Sequence, residues 1–234
     1  MPHFTPGPDP LFPYLGELDY FDFPDPLALP DSVVAVGGNL SPGMLLSAYC
    51  QGIFPWYSEG EPVIWQSPDP RLVIFPENLR ISASMRKILA RGVFEITFNR
   101  DFAGVIKNCA QIYRPNQGGT WITDDIISAY SELHILGRAV SAEAWLEGEL
   151  VGGCYGVLVG DVFCGESMFA KKSNASKAAF LSLAMEFFAQ GLAFVDCQTP
   201  SRHLESLGGT RLPRRDFLRL LSRHVPPPGS AGAF

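Results

Sequence analysis

The first 70 residues contain no lysine or arginine. They hold nine acidic residues, whereas the rest of the 234-residue chain carries all 18 basic residues against 15 acidic ones. Such a shift in charge along a chain indicates a change of module. We therefore predict a small acidic N-terminal domain with an extended arm over residues 1–70, and a second domain over residues 71–234.

Long apolar runs are also absent. No stretch approaches the roughly 20 consecutive apolar residues that a membrane helix needs, and the N-terminus lacks the basic segment and apolar stretch of a secretory signal. With 47% hydrophobic and 18% charged residues, the composition is that of a globular protein. We expect a cytoplasmic protein that has no membrane partner.

Cysteine and histidine are sparse. The five cysteines include no Cys-x-x-Cys pair, and none of the four histidines stands at ligand spacing from them. An odd number of scattered thiols argues against a disulfide framework, and the missing spacing argues against a zinc site. We predict reduced cysteines that serve mostly as small core residues, and no metal.

Basic residues are concentrated soon after the boundary at residue 70. Six cations stand there against only Glu95 and Asp101, namely Arg80, Arg86, Lys87, Arg91, Arg100 and Lys107. From charge alone, an anionic partner and an ordinary solvated face carry equal weight.

Local patterns predict the order of the elements. Ser41 and Pro42 are typical of a helix start, with Gly52 just past its end, and Thr123 and Gly137 bracket a second helix. Three segments separated by Glu-Gly and Gly-Asp turns predict an antiparallel meander, which a helix and a buried strand follow: AVSAEAWLE, ELVGGCYGVLVG, DVFCGESMF, NASKAAFLSLAMEFFAQG and LAFVDCQ. SLGGTRLPRRDFLRLLSRH predicts a C-terminal helix whose Leu and Phe pack while its arginines stay in solvent.

The order of three strands, a helix and a strand resembles the core of acetyl-CoA-dependent N-acetyltransferases. We expect an α+β fold: a GNAT-like mixed sheet with flanking helices, plus a small N-terminal α/β domain. Those enzymes cradle the cofactor pyrophosphate on a glycine-rich helix start, but the corresponding link here, AKKSNASK, contains no glycine. We therefore expect an acyl donor other than coenzyme A.

Nine segments together resemble one family in unbroken order from about Val33 to Leu220: GGNLSP, GIFPWYSEG, SPDPR, GGTWIT, FCGESMF, NASK, DCQ, SLGG and PRRDFL. The family is the leucyl/phenylalanyl-tRNA–protein transferases, which move Leu or Phe from tRNA to the N-terminus of a protein. The resemblance implies an acetyltransferase-like catalytic domain, no cofactor and no metal. It also implies aminoacyl-tRNA and proteins with N-terminal Arg or Lys as partners, N-degron proteolysis as the outcome, and a monomer.

The chemistry of such a transfer suits Asp196, Gln198 and Glu166. An aminoacyl ester is already activated, so the enzyme has to position an amine and accept its proton. Asp196 and Gln198 lie two apart at a strand end, which predicts side chains on one face. The resemblance makes them the catalytic pair, with Glu166 a second carboxylate that favours a cationic acceptor. A strand-end cap for Asp196 and a loop hydrogen bond for Glu166 are the structural alternatives.

The resemblance also assigns substrate contacts. Trp56 and Trp121 would stack on the terminal adenosine, although a lone Trp is more often a core residue. An apolar pocket for Leu or Phe, and weakly Met, would draw on Cys154, Phe163, Met168 and Val195. Arg86, Lys87 and Arg91 would hold the tRNA backbone without reading bases.

Two other functions remain open at this level. A peptidyltransferase of cell-wall branching also uses aminoacyl-tRNA on a related fold, but such chains are longer and carry two domains of this kind. A non-catalytic RNA-binding protein would bind tRNA without transferring its amino acid.

Overall fold

The computed structural model of the chain describes residues 7–112 and 120–226. The first six residues of the predicted arm, the Pro- and Gly-rich tail and the glycines before Trp121 lie outside these ranges. The strands are β1 Val33–Val36, β2 Phe54–Pro55, β3 Ile64–Gln66, β4 Arg71–Ile74, β5 Glu95–Phe98, β6 Ala139–Leu146, β7 Glu149–Val159, β8 Val162–Ala170, β9 Phe194–Asp196 and β10 Thr210–Leu212. The α-helices are α1 Pro42–Cys50, α2 Ala83–Ala90, α3 Phe102–Gln111, α4 Asp124–Ile135, α5 Ala175–Ala189, α6 Arg202–Ser206 and α7 Arg214–Leu221, and 3-10 turns occupy Pro26–Ala28 and Pro76–Asn78.

The strands form two sheets. The smaller has the order β1-β3-β2, and the larger is a seven-stranded mixed sheet with the order β10-β4-β9-β8-β7-β6-β5. Strands β6, β7 and β8 form the predicted antiparallel meander, and β9 returns parallel to β8 after α5. The predicted α+β class and the strand-strand-strand-helix-strand order are confirmed.

Helices cover both faces of the large sheet. Tyr155 of β7 belongs to one core cluster with residues of α1, α3 and α4, whereas the neighbouring Cys154 belongs to another with residues of α2 and α5. Because successive strand residues point to opposite faces, the two clusters lie on the two sides of the sheet. The polar residues of β8 and β9 therefore need an opening in one layer to reach a substrate.

The N-terminal arm packs against the body from residue 7 onward. Phe23 packs against Trp65 of β3 with the rings tilted and their centroids 5.0 Å apart, and the backbone N–H of Gly43 donates to Leu15 O at 2.9 Å. Ser41 precedes α1 as predicted, but its hydroxyl accepts the N–H of Leu15 at 3.1 Å and does not cap the helix. The arm thus uses the Ser41 hydroxyl, which would otherwise cap the N-terminus of α1.

The C-terminal segment differs from the predicted single helix. Residues Thr210–Leu212 form β10 at the edge of the large sheet, and α7 begins only after Pro213. Arg214 is buried, not solvated: its guanidinium donates to the backbone carbonyls of Leu29, Asp31 and Ser67 at 2.8–3.0 Å. An extended segment offers unpaired carbonyls, and this arginine satisfies three of them at once.

The cysteines behave as predicted. All five are free thiols, four of them buried and Cys50 partly exposed. Burial raises the pKa of Cys50 to about 12, so this thiol is protonated and unreactive near neutral pH. No helix within residues 7–112 and 120–226 is long and apolar enough to cross a membrane.

Candidate active site

Glu166 projects from a β-bulge. In the pairing of β7 with β8, Tyr155 faces Ser167 and Gly156 faces Gly165, which leaves Glu166 as the extra residue of β8. Bulges re-aim side chains and are common beside active sites. A Cβ on Gly156 would approach the carbonyl oxygen of Cys164 to 2.2 Å, so only glycine permits this close crossing.

Gln198 meets Glu166 because β8 and β9 are parallel neighbours. Cys164 of β8 pairs with Asp196, the last residue of β9, and Glu166 and Gln198 each stand two residues further along the chain. Gln198 has φ +60, a left-handed conformation that costs a non-glycine residue about 1 kcal/mol. Its own N–H donates to Asp196 Oδ1 at 2.9 Å, which helps to hold that conformation.

The Glu166 carboxylate has a partner at each oxygen. Gln198 Nε2 donates to Oε1 at 2.7 Å and the Tyr130 hydroxyl donates to Oε2 at 3.2 Å. The Tyr130 hydroxyl also bonds the buried hydroxyl of Tyr49. Burial raises the pKa of Glu166 to about 7, against the opposing effect of these hydrogen bonds. A carboxyl group that titrates near neutrality is a typical proton acceptor or donor.

Two cavities meet at this hydrogen-bonded pair. One, of about 240 Å³, is lined by Trp56, Trp121 and Phe54, and we call it the tryptophan cavity. The other, of about 260 Å³, is lined by apolar side chains that include Phe163 and Phe180, and we call it the apolar cavity. The two cavities share five lining residues: Glu166, Ser167, Met168, Gln198 and Thr199. The carboxylate and the amide therefore stand where two different ligand groups would join.

Asp196 does not reach either cavity. Its carboxylate is 1% exposed and pairs with the equally buried Arg71, with Oδ1 accepting from Nε at 2.8 Å and Oδ2 from an Nη atom at 2.6 Å. The prediction of a catalytic pair that acts directly on the substrate is therefore wrong for Asp196, whose carboxylate lines neither cavity. Gln198 lies beyond the end of β9, so strand alternation does not apply to it. Glu166 is the carboxylate that lines both cavities.

Most of the predicted substrate residues line one of the two cavities. Trp56, which is 40% exposed, and Trp121 share the tryptophan cavity. Cys154, Phe163 and Met168 line the apolar cavity. Val195 differs: it is fully buried in β9 opposite Phe163 and is not a lining residue of either cavity.

The three predicted phosphate-binding residues lie on one short helix. Arg86 and Lys87 are exposed on α2, and the exposed Arg91 caps its end. None of them forms an ion pair with another residue in the described ranges. Their charges are therefore available to a partner.

Four site residues had no signal of their own in the sequence: Tyr49, Tyr130, Arg71 and His203. Tyr49 and Arg71 fall within or beside segments that carry the family resemblance, but a single tyrosine or arginine has no pattern that marks it. Only the packing of α1, α4 and β4 against β8 and β9 brings the first three to Glu166 and Asp196.

No metal site accompanies these residues. Among residues 7–112 and 120–226, no group of three or more His, Cys, Asp or Glu is arranged to hold a metal ion. A cavity of about 530 Å³ lies between residues 57–60 and the start of α4, and it holds none of the predicted site residues. Glu166 and Gln198 lie instead at the junction of the two smaller cavities.

Known proteins resemble this chain over most of its length. The chain matches the family Leucyl/phenylalanyl-tRNA protein transferase over residues 73–222 and the N-terminal domain of that family over residues 38–69. Proteins named leucyl/phenylalanyl-tRNA–protein transferase from Syntrophobacter fumaroxidans and Myxococcus xanthus are 51% and 50% identical, over 87% and 90% of this chain and the same shares of their own. The one from Shigella dysenteriae is 49% identical over 86% of each chain.

Among solved structures, L-PGS from Bacillus licheniformis aligns with a TM-score of 0.42 at 14% identity, over 58% of this chain and 48% of that one. Neither fold nor function transfers at that similarity. The sequence matches are much stronger, since about 50% of the residues are identical over most of both chains. This chain therefore belongs to the leucyl/phenylalanyl-tRNA–protein transferase family of aminoacyltransferases.

Proposed function

We propose that the enzyme transfers Leu or Phe, and Met weakly, from aminoacyl-tRNA to the α-amine of proteins that begin with Arg or Lys, and so marks them for N-degron proteolysis. The observation that carries this proposal is the contact of Gln198 with Glu166 at the junction of the two cavities. The ester carbonyl links the adenosine and the side chain of the donor, so a junction of two cavities would place the reacting carbon beside Glu166 and Gln198, where the acceptor amine must reach it.

The donor would occupy both cavities. Trp56 and Trp121 offer flat aromatic surfaces on which the terminal adenosine stacks, a contact worth about 1–3 kcal/mol per base. The amino-acid side chain would enter the apolar cavity between Cys154, Phe163 and Met168. Its ester carbonyl then falls beside Glu166 and Gln198. Val195 would support this cavity from behind, through Phe163.

Glu166 would take the proton. The protonated acceptor amine gives one proton to the Glu166 carboxylate, and the neutral nitrogen attacks the ester carbonyl carbon. As the C–N bond forms, the bond to the ribose oxygen breaks, and that oxygen takes the second proton that the nitrogen loses. Because Nε2 of Gln198 is used by Glu166, Oε1 is the atom that accepts an N–H of the incoming amine.

Asp196 belongs to this catalytic unit as a positioning residue. It holds the backbone N–H of Gln198 with one oxygen and Arg71 with both. Since Arg71 neutralises its charge, the preference for an Arg or Lys acceptor rests on Glu166. A bound cation would favour the ionised form of that carboxyl, which is the form that accepts the proton.

The proposed reaction also suggests how the tRNA is bound and in what state the enzyme works. Arg86, Lys87 and Arg91 would hold phosphates of the acceptor stem on α2. The enzyme would act in the cytoplasm as a monomer, without a cofactor. We propose that its large sheet is GNAT-like, on the order of β6 to β9, and that residues 1–70 form a separate domain, since the strands of the small sheet all come from residues 33–66.

The test is transfer of labelled Leu from charged tRNA to two peptides that differ only in the first residue, Arg or Gly. We expect labelling of the Arg peptide, and a loss of roughly 10²–10⁴-fold in rate for Glu166→Gln, the range for removal of a general base. Glutamine retains the shape of Glu166, so circular dichroism should be unchanged. Equal labelling of both peptides would contradict the acceptor assignment, and a near-normal rate for Glu166→Gln would contradict the site.

A further inference from the structure

His203 has a polar atom with no partner at the reaction site. It lies on α6 and lines the apolar cavity together with Glu166 and Gln198. Its ring Nε2 is buried and makes no hydrogen bond with any residue in the described ranges. A buried ring nitrogen without a partner costs roughly 1–3 kcal/mol. Such an atom in a substrate cavity indicates that a ligand group completes its hydrogen bonding.

The apolar cavity is polar on one side of its lining. The residues from β7, β8 and α5 are mostly apolar and include Cys154, Phe163 and Phe180. The residues that follow β9 are mostly polar and include Thr199, Ser201 and His203. A Leu or Phe side chain can pack against the apolar residues of β7, β8 and α5. It cannot form a hydrogen bond with the polar residues that follow β9.

One polar group of an aminoacyl ester must accompany the side chain into this cavity. The carbonyl lies at the Glu166–Gln198 junction, whereas the α-amino group is bonded to the carbon that bears the side chain. We propose that His203 binds the α-amino group of the donor amino acid. This inference rests on the proposed assignment of the apolar cavity to the donor side chain.

The state of the ring suits this partner. Burial lowers the pKa of His203, and the charge of Lys177 lowers it further. A neutral imidazole offers Nε2 as acceptor or as N–H donor according to its tautomer, and a neutral amine can supply either complement. The enzyme would then recognise a donor by two features of one carbon atom, its side chain and its free amine.

Steady-state transfer from two donors tests this inference. The donors are Leu-tRNA and tRNA carrying 4-methylpentanoate, which has the leucine side chain and no amine; the acceptor is the Arg peptide in both cases. For His203→Ala we expect KM for Leu-tRNA to rise about 3–10-fold, the value of one hydrogen bond. We expect kcat to stay within about twofold, and neither constant to change for the amine-free donor.

Two further variants separate recognition from folding. Gln has a terminal amide that reaches about as far as Nε2, so His203→Gln should recover most of the loss with Leu-tRNA. Ser206→Ala removes a hydroxyl that donates to the His203 carbonyl at 2.6 Å within α6, and it should leave both donors unaffected.

The outcomes are distinct. An equal loss with both donors would give His203 a structural role, and an unchanged KM for Leu-tRNA would show that it does not bind the amine; either result overturns the inference. Absence of transfer by the unchanged enzyme would instead remove the proposed function, and this inference with it.

Discussion

Replacing Asp196 by Asn should weaken the fold as well as the reaction. Arg71 and Asp196 are each 1% exposed and share two hydrogen bonds of 2.6 and 2.8 Å. The same guanidinium donates to Gly52 O at 3.0 Å and lies over the rings of Phe54 and Phe217, at 4.9 and 4.5 Å from their centroids. Asparagine would leave this cation buried without a compensating charge.

The expected loss in the free energy of unfolding is large for a change that replaces one carboxylate oxygen by an amide nitrogen. Breaking a buried ion pair from one side costs about 3–5 kcal/mol, out of a free energy of unfolding of roughly 5–15 kcal/mol for a typical domain. Asn keeps an oxygen for the N–H of Gln198, which favours the lower end of that range. The melting temperature should fall by roughly 6–20 °C, at about 2–4 °C per kcal/mol for a chain of this size.

Urea unfolding followed by circular dichroism measures this loss. The matched control is Glu95→Gln in the exposed pair Arg100–Glu95, which has a similar separation of 2.8 Å but side chains that are 57% and 63% exposed. That change should cost under about 1 kcal/mol. If Asp196→Asn also costs under about 1 kcal/mol, the buried pair does not stabilise the fold in the way described.

A double-mutant cycle gives the coupling directly. Arg71→Met removes the cation and keeps an apolar side chain between Phe54 and Phe217. Combined with Asp196→Asn it should destabilise by less than the sum of the two single changes, because neither partner is then left as a buried charge. Strict additivity would contradict the reasoning.

Four further predictions concern the pH dependence of the rate, stability at high pH, stacking and charge. The rate at limiting substrate should rise with pH through about 7, as the Glu166 carboxyl ionises, and level off above it. Because the folded pKa of Glu166 is raised, its contribution to stability is present at low pH and is lost as pH rises through about 7, so Glu166→Gln should stabilise the protein at pH 8 in urea unfolding. Trp121→Ala should raise KM for aminoacyl-tRNA by roughly 5–150-fold, the equivalent of about 1–3 kcal/mol of stacking. Charge reversal at Arg86, Lys87 and Arg91 should weaken tRNA binding. It should also reduce the slope with which the logarithm of the binding constant falls as the logarithm of the salt concentration rises.

Each of these predictions has a contrary result. For stability, it would be a free energy of unfolding of Glu166→Gln at pH 8 no higher than that of the unchanged protein. A rate that does not depend on pH between 6 and 8 would separate Glu166 from the proton transfer. An unchanged KM for Trp121→Ala would place the adenosine elsewhere. For the basic helix, the matched control reverses the exposed Arg215, Arg219 and Arg223 in and after α7; an equal effect of both sets would indicate a general charge effect and no site on α2.

Part of the fold follows from local signals. Ser41 and Pro42 before α1, Thr123 before α4, and the turns between β6, β7 and β8 act over a few residues, and the elements form where those residues predict. Strand β10 and the burial of Arg214 had no such signal, because both depend on partners more than 100 residues away. Local chemistry places an element, whereas its partners decide whether a charged residue is buried.

The sequence by itself determined the family, the order of the central elements and the presence of Glu166 and Gln198 in two of the family motifs. Only the tertiary structure decided what each acid does. Parallel pairing of β8 with β9 and the bulge at Glu166 bring one carboxylate to the cavities, while Arg71, distant in sequence, holds Asp196 in the interior. The two carboxyl groups are chemically alike, and their different surroundings give one a pKa near neutrality and the other a buried partner.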